Sequence, residues 1–110
     1  MPDHWLRVLL RAELLERGYD AVGAPDVPTA FLYRPVERER APVQAILIDQ
    51  DALDEPGARL LALLLSRHER ARALLLADAL LEEPAGPWCR VVRKPVTLDR
   101  LASTIEEVSR

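Results

Sequence analysis

Two residues of this chain stand where a side chain could take part in chemistry. Asp49 directly follows the apolar run 43–48, and Lys94, the only lysine, directly follows the run 89–93. If both runs are strands of one parallel sheet, both side chains lie at the edge where strand carboxyl ends meet, which is where functional groups gather in such sheets. We expect Lys94 to pair with Asp49. The alternatives are an exposed carboxylate that caps a loop and a surface lysine whose proline neighbour shapes a turn.

Other chemistry finds little support in the sequence. His4, His68 and Cys89 lack the spacing of a metal-binding set. There is no glycine-rich phosphate loop and no Gly-x-Ser-x-Gly turn. We therefore expect no enzymatic activity, no cofactor and no small-molecule substrate. One alternative stays open, because Mg²⁺ needs only one or two protein carboxylates. The acidic residues that could supply them are Asp3, Asp51, Asp54 and Asp78.

Composition indicates an ordinary globular protein. The chain has 110 residues, of which 49% are hydrophobic and 30% charged, and its net charge is −3. This length predicts a single domain over residues 1–110. The charges are mixed, so we expect no nucleic-acid or membrane partner. A single cysteine permits no intramolecular disulfide, and no signal peptide or membrane-length apolar segment is evident. A cytoplasmic location is the expectation.

The elements that would position Asp49 and Lys94 follow from periodicity. Helical spacing predicts helices over residues 5–17, 57–70 and 98–108, with Gly18 ending the first and Thr97 capping the last. Asp26 offers an N-cap for a short helix. Strand-like runs cover residues 19–24, 43–48, 73–77 and 89–93. This alternation predicts an α/β fold with a mainly parallel sheet of four strands and helices on both faces.

The first predicted helix is more apolar than one sheet contact requires. Besides its main stripe it carries a second flank of apolar residues. A surplus flank of this kind indicates either a partner surface or a helix that is covered on two sides. We expect it to contact another chain, most simply in a homodimer. The residues of this flank are Trp5, Val8, Ala12 and Leu15.

In order along the chain, four features resemble the receiver domain of two-component response regulators. They are a first helix ending in Gly-Tyr, an apolar strand ending in Asp49, Gly57 ahead of the next helix, and the pair Lys94-Pro95. The resemblance implies a flavodoxin-like three-layer fold. It also implies that Asp49 would accept a phosphoryl group from phosphohistidine with the help of Mg²⁺, and that Lys94 would pair with the phosphoryl oxygens.

Departures from the family pattern are equally clear. The chain starts at the first helix, so the family's first strand and its Mg²⁺-binding acidic pair are missing. Ala77 stands where the family has Ser or Thr, and Val91 stands where it has a switching aromatic. We therefore interpret the chain as a degenerate, stand-alone receiver that binds a protein partner in signalling. The alternatives are a working phosphoacceptor in a phosphorelay, and a first strand encoded upstream or supplied by another polypeptide.

Overall fold

Helices and strands alternate along the chain in the computed structural model, which describes residues 1–33 and 42–110. A short 3₁₀ turn, Gln50–Ala52, directly follows the first strand. The helices are α1 (His4–Glu16), α2 (Val27–Ala30), α3 (Glu55–Arg67) and α4 (Leu98–Ser109); the strands are β1 (Ala45–Asp49), β2 (Arg72–Ala77) and β3 (Trp88–Arg93).

Each helix begins at a polar side chain that accepts a hydrogen bond from a backbone N–H of its first turn. These N-caps are Asp3, Asp26, Asp54 and Thr97. Such caps satisfy donors that have no partner inside the helix. Gly18 ends α1 with a φ of 90°, a left-handed conformation that favours glycine. The predicted boundaries at Gly18, Asp26 and Thr97 are thus confirmed.

The strands form a parallel sheet in the order β1-β2-β3. The central strand, β2, is buried at every residue from Ala73 to Ala77. Parallel strands that are covered on both faces carry continuous apolar runs, and β2 has this pattern. The structure therefore confirms an α/β fold with a small parallel sheet.

Two hydrophobic clusters cover the two faces of the sheet. One joins α1 and α4 to Leu74 and Leu76 of β2. The other joins α2 and α3 to Ile48 of β1. Arg17 further ties α1 to α4, since its guanidinium lies 2.7 Å from Asp99 and 3.3 Å from Glu106. Helices consequently lie on both faces of the sheet, as expected.

The prediction of a strand over residues 19–24 is wrong. They form neither helix nor strand, and none of the three described strands pairs with them. A cavity that both segments line separates them from β1, and a strand forms only where a neighbour completes its hydrogen bonds. The described residues therefore form three strands rather than four.

Gly57 lies inside the first turn of α3, in agreement with the helix predicted over residues 57–70, and not ahead of the helix as the family resemblance implies. Its N–H donates to Asp54 Oδ1 over 2.9 Å. A Cβ at this position would overlap the carbonyl oxygen of Ala52. The glycine is needed for this close approach, where no larger side chain fits.

None of the helices in residues 1–33 and 42–110 is both long and apolar enough to cross a membrane.

Replacing Leu74 with Ala tests the importance of the central strand. Leu74 has no exposed surface, so its truncation leaves a cavity and should lower the free energy of unfolding by about 2–5 kcal/mol. Leu80→Ala is the matched control, because Leu80 is 93% exposed and should change stability by less than about 0.5 kcal/mol. Urea denaturation measures both; equal effects would contradict the assignment of β2 as the core strand.

Candidate functional site

Asp49 and Lys94 meet at the carboxyl edge of the sheet. The Lys94 ammonium lies 3.0 Å from Asp49 Oδ1, within ion-pair distance. The Asp49 side chain has no exposed surface, whereas that of Lys94 is 26% exposed. Parallel pairing produces this contact, because β1 ends at Asp49 and the backbone N–H of Lys94 donates to the carbonyl of Ala77 at the end of β2. The predicted pairing is present in the structure.

Lys94 also binds a second carboxylate. Its Nζ donates to Asp51 Oδ2 over 3.0 Å, while the backbone N–H of Asp51 donates to Asp49 Oδ1 over 2.9 Å. The 3₁₀ turn after β1 brings Asp51 back toward Asp49. The ammonium group is therefore shared between both carboxylates, and Asp49 Oδ1 accepts two hydrogen bonds.

The second oxygen of Asp49 has a different environment. Oδ2 is buried and has no hydrogen-bond partner among the described residues. Burial lowers the pKa of the Met1 α-amino group, and the nearby Asp49 charge only partly offsets this; the group donates to the carbonyl of Ala24 and not to Oδ2. Buried carboxylate oxygens normally have partners, and an unmade hydrogen bond costs about 1–3 kcal/mol or more. Oδ2 is thus an open acceptor inside the protein.

Gln50 and Arg93 are two residues of this edge that sequence reasoning missed. Gln50 accepts a hydrogen bond from the Asp78 N–H over 2.8 Å and donates to the Glu82 carbonyl over 2.9 Å. Arg93 donates to the Asp78 carbonyl and to Glu83 Oε1. Together they hold the connection between β2 and β3 against the end of β1. The only available signal was their position, directly after Asp49 and directly before Lys94.

The acidic residues that the sequence offers as Mg²⁺ ligands have other partners. Asp3 and Asp54 cap α1 and α3, and Asp78 accepts hydrogen bonds from the backbone N–H groups of Leu80 and Leu81. These two bonds lower the pKa of Asp78. Residues 1–33 and 42–110 contain no cluster of three acidic, histidine or cysteine side chains that could hold a metal ion. At this edge Lys94 already binds the two neighbouring carboxylates, Asp49 and Asp51. The described residues therefore do not fit Mg²⁺.

The histidines and the cysteine are dispersed in the fold. His4 is exposed beside Arg7, while His68 is buried at the end of α3 with its ring 6.1 Å from that of Tyr33. Burial, and to a lesser extent the charge of Arg67, lowers the pKa of His68. Cys89 is exposed on β3. No metal-binding or nucleophilic arrangement joins these side chains.

The surplus apolar flank of α1 is exposed to solvent. Trp5 is 69% exposed, Val8 42% and Leu15 44%, and Ala12 is exposed as well. The opposite face of the helix packs Leu10 and Leu14 into the core. The flank is therefore not covered within the described part of the chain, and the alternative of burial on both sides is not realised.

Comparison of the chain with protein-family models, curated proteins and solved structures finds no significant match. Its residues and geometry alone must therefore support any functional interpretation.

Loss of the Lys94 proton at high pH should lower the free energy of unfolding. Burial lowers the pKa of Lys94, but the hydrogen bonds and charges of Asp49 and Asp51 outweigh it and raise the pKa above 10.5. A group whose pKa is raised by folding stabilises the fold fully below its unfolded pKa. This stabilisation should persist up to pH 10.5 and decline as the pH rises through the folded-state pKa. Urea denaturation along an alkaline pH series should show that decline in the parent chain and not in Lys94→Met.

A double-mutant cycle should measure the pair itself. Lys94→Met leaves the Asp49 charge buried without its cation, so we expect a loss of about 3 kcal/mol at neutral pH. In an Asp49→Asn background the same change should cost less than about 1 kcal/mol, because no charge is left unpaired. Arg90→Met is the control, since its pair with Glu107 is about half exposed at both ends and should contribute less than about 1 kcal/mol. Additive losses would show that Asp49 and Lys94 do not interact.

Proposed function

We propose that this chain is a degenerate receiver-like domain of flavodoxin-like type that acts in the cytoplasm as a protein-interaction module of a signalling pathway, without catalysis. The observation that carries the proposal is the state of Asp49. Its carboxylate has no exposed surface and is bound through Oδ1 to Lys94 and to the backbone of Asp51. In this arrangement the pair serves structure rather than phosphoryl transfer.

Phosphoryl transfer needs more than a carboxylate beside a lysine. The nucleophilic oxygen must reach phosphorus in line with the leaving group, and positive charge must balance the phosphoryl oxygens. Asp49 offers no exposed oxygen to a donor, and the Lys94 ammonium is already shared between Asp49 and Asp51. The end of β2 is Ala77, which has no hydroxyl group to bind a phosphoryl oxygen. Each feature favours the interaction module over the working phosphoacceptor.

Treatment with a small phosphodonor tests this proposal. Incubation with acetyl phosphate or beryllofluoride in the presence of Mg²⁺ should leave the protein essentially unmodified, with the intact mass and the amide spectrum unchanged. A response-regulator receiver of known activity, treated in parallel, checks the reagents. Stoichiometric labelling that disappears in Asp49→Asn would instead establish the phosphoacceptor function.

The exposed flank of α1 supports a second part of the proposal, which is self-association. Trp5 and Val8 stand one turn apart on the same face, and Ala12 and Leu15 extend that face along the helix. Contiguous apolar surface of this kind is uncommon on monomers and marks partner sites. A second copy of the chain is the occupant we propose, because a two-fold dimer places the same patch on both sides of its interface.

Light scattering at micromolar protein concentration tests the dimer. The parent chain should have the mass of two chains, and Trp5→Glu or Val8→Glu should shift it toward one chain, because each change places a charge in the apolar contact. Leu81→Glu is a control, since Leu81 is 59% exposed outside α1. A monomeric parent chain, or a dimer unaffected by changes in α1, would contradict this part of the proposal.

A further inference from the structure

The first strand of the sheet has one edge without a partner strand. β1 pairs with β2, and no other strand among the described residues contacts it. Along this free edge runs a cavity of about 410 Å³, which we call the edge slot. β1 and the irregular segment 18–24 both line it. The slot therefore separates β1 from a segment that forms no strand beside it.

The register of the sheet shows which backbone groups face the edge slot. The N–H of Arg72 donates to the carbonyl of Gln44, and Ile46 lies opposite Ala73. In a parallel ladder alternate residues use their backbone groups on one side, so Ile46 and Ile48 pair with β2. Ala45 and Leu47 consequently direct their N–H and C=O groups into the slot. Backbone groups of this kind are normally paired in folded proteins.

The walls of the edge slot are mainly apolar and come from both layers of helices. Leu10, Leu14 and Ile105 line it from α1 and α4, and Val27 and Leu64 line it from α2 and α3. An occupant would therefore meet apolar surface on both of its faces. In parallel sheets, strands covered in this way are near-continuous runs of Val, Ile and Leu.

Asp49 supplies the polar end of the edge slot. It lines the cavity at the carboxyl end of β1, and its buried Oδ2 has no partner in the part of the chain that the structure describes. An ionised carboxylate oxygen only accepts hydrogen bonds, so a partner for Oδ2 must be a hydrogen-bond donor. The slot thus combines a strand edge, apolar walls on both faces and one unsatisfied acceptor at a defined end.

We propose that the edge slot binds an extended, apolar segment of a partner protein, which adds as a strand beside β1 and brings a hydrogen-bond donor to Asp49 Oδ2. Alternating main-chain donors and acceptors are best matched by another main chain, as in recognition by strand addition. A small apolar ligand would fill the cavity but leave the groups of Ala45 and Leu47 unpaired. The inference rests on the proposed function as an interaction module and identifies the chemistry of its partner.

Peptide binding to the full chain tests the inference. The probe is a fluorescent peptide with a Val- and Ile-rich core of about six residues, the usual length of a strand, followed by Asn as the donor and a charged tail for solubility. Fluorescence anisotropy should show saturable binding. Proline in the middle of the core should weaken binding at least about tenfold, because it removes a strand hydrogen bond. Equal binding of the proline peptide, or no binding of the probe, would overturn the inference.

Two protein variants locate the binding site. Ala21 lines the edge slot, so Ala21→Trp should fill it and weaken binding at least about tenfold, whereas Ala62→Trp on the exposed side of α3 should have no effect. Asp49→Asn keeps an amide oxygen for Lys94 and the Asp51 N–H, and places an NH₂ donor where Oδ2 accepts in the parent chain. Replacing the peptide's Asn with Val should therefore weaken binding to the parent chain but not to Asp49→Asn. Circular dichroism checks that the variants fold.

Hydrogen exchange gives a readout that does not depend on any variant. The amides of Ala45 and Leu47 should exchange rapidly in the free protein and at least about tenfold more slowly with peptide, while Ile46 and Ile48 should be protected in both states. Slow exchange of Ala45 and Leu47 without peptide would show that the edge is already paired and would overturn the inference. Phosphodonor labelling tests the proposed function separately, so failure of one can be distinguished from failure of the other.

Discussion

The burial of the central strand β2 is the constraint on which the rest of this structure depends. Residues 73–77 have almost no exposed surface, and a strand can be buried in this way only if it has a strand on each side and a layer of helices on each face. β1 and β3 supply the two neighbours, and the pairs α1/α4 and α2/α3 supply the two layers. Because all three strands are parallel, their carboxyl ends meet at one edge, and that edge determines which polar residues come together.

At that edge the fold holds a buried charge. Burial of the Asp49 carboxylate alone would cost free energy. The ammonium group of Lys94, the residue directly after β3, compensates for its charge. Asp51, Gln50 and Arg93 extend this contact into a polar network that fixes the segment between β2 and β3. The same residues that resemble a phosphoryl-transfer site thus have a sufficient role in holding three chain segments together. Resemblance in residue type and order does not by itself establish chemistry, because access and charge balance depend on the surroundings.

The free edge of β1 has the opposite character. β2 pairs on both sides, whereas among the described residues β1 pairs on one side only. Beside its other edge, the helices border a half-open cavity. Natural proteins usually cover or shorten such edges, since unpaired strands associate with other chains. In the described residues the β1 edge is covered incompletely, and the open acceptor Asp49 Oδ2 lies at the carboxyl end of that edge. In the proposed strand addition, Asp49 would therefore serve both the stability of the fold and the binding of the partner.

The sequence by itself determined the local elements and their order. Helical spacing and capping residues such as Thr97 predicted α1, α3 and α4 to within a few residues, because these signals act over one or two turns of chain. Apolar runs predicted β1, β2 and β3, and the parallel arrangement then predicted the contact of Asp49 with Lys94. Only the tertiary structure decided that Asp51 shares the Lys94 ammonium, and that in residues 1–33 and 42–110 no strand forms over 19–24 and no group binds Asp49 Oδ2. The physical reason is that pairing, burial and the satisfaction of a polar atom depend on what lies beside it in space, and residues distant in the chain supply those neighbours.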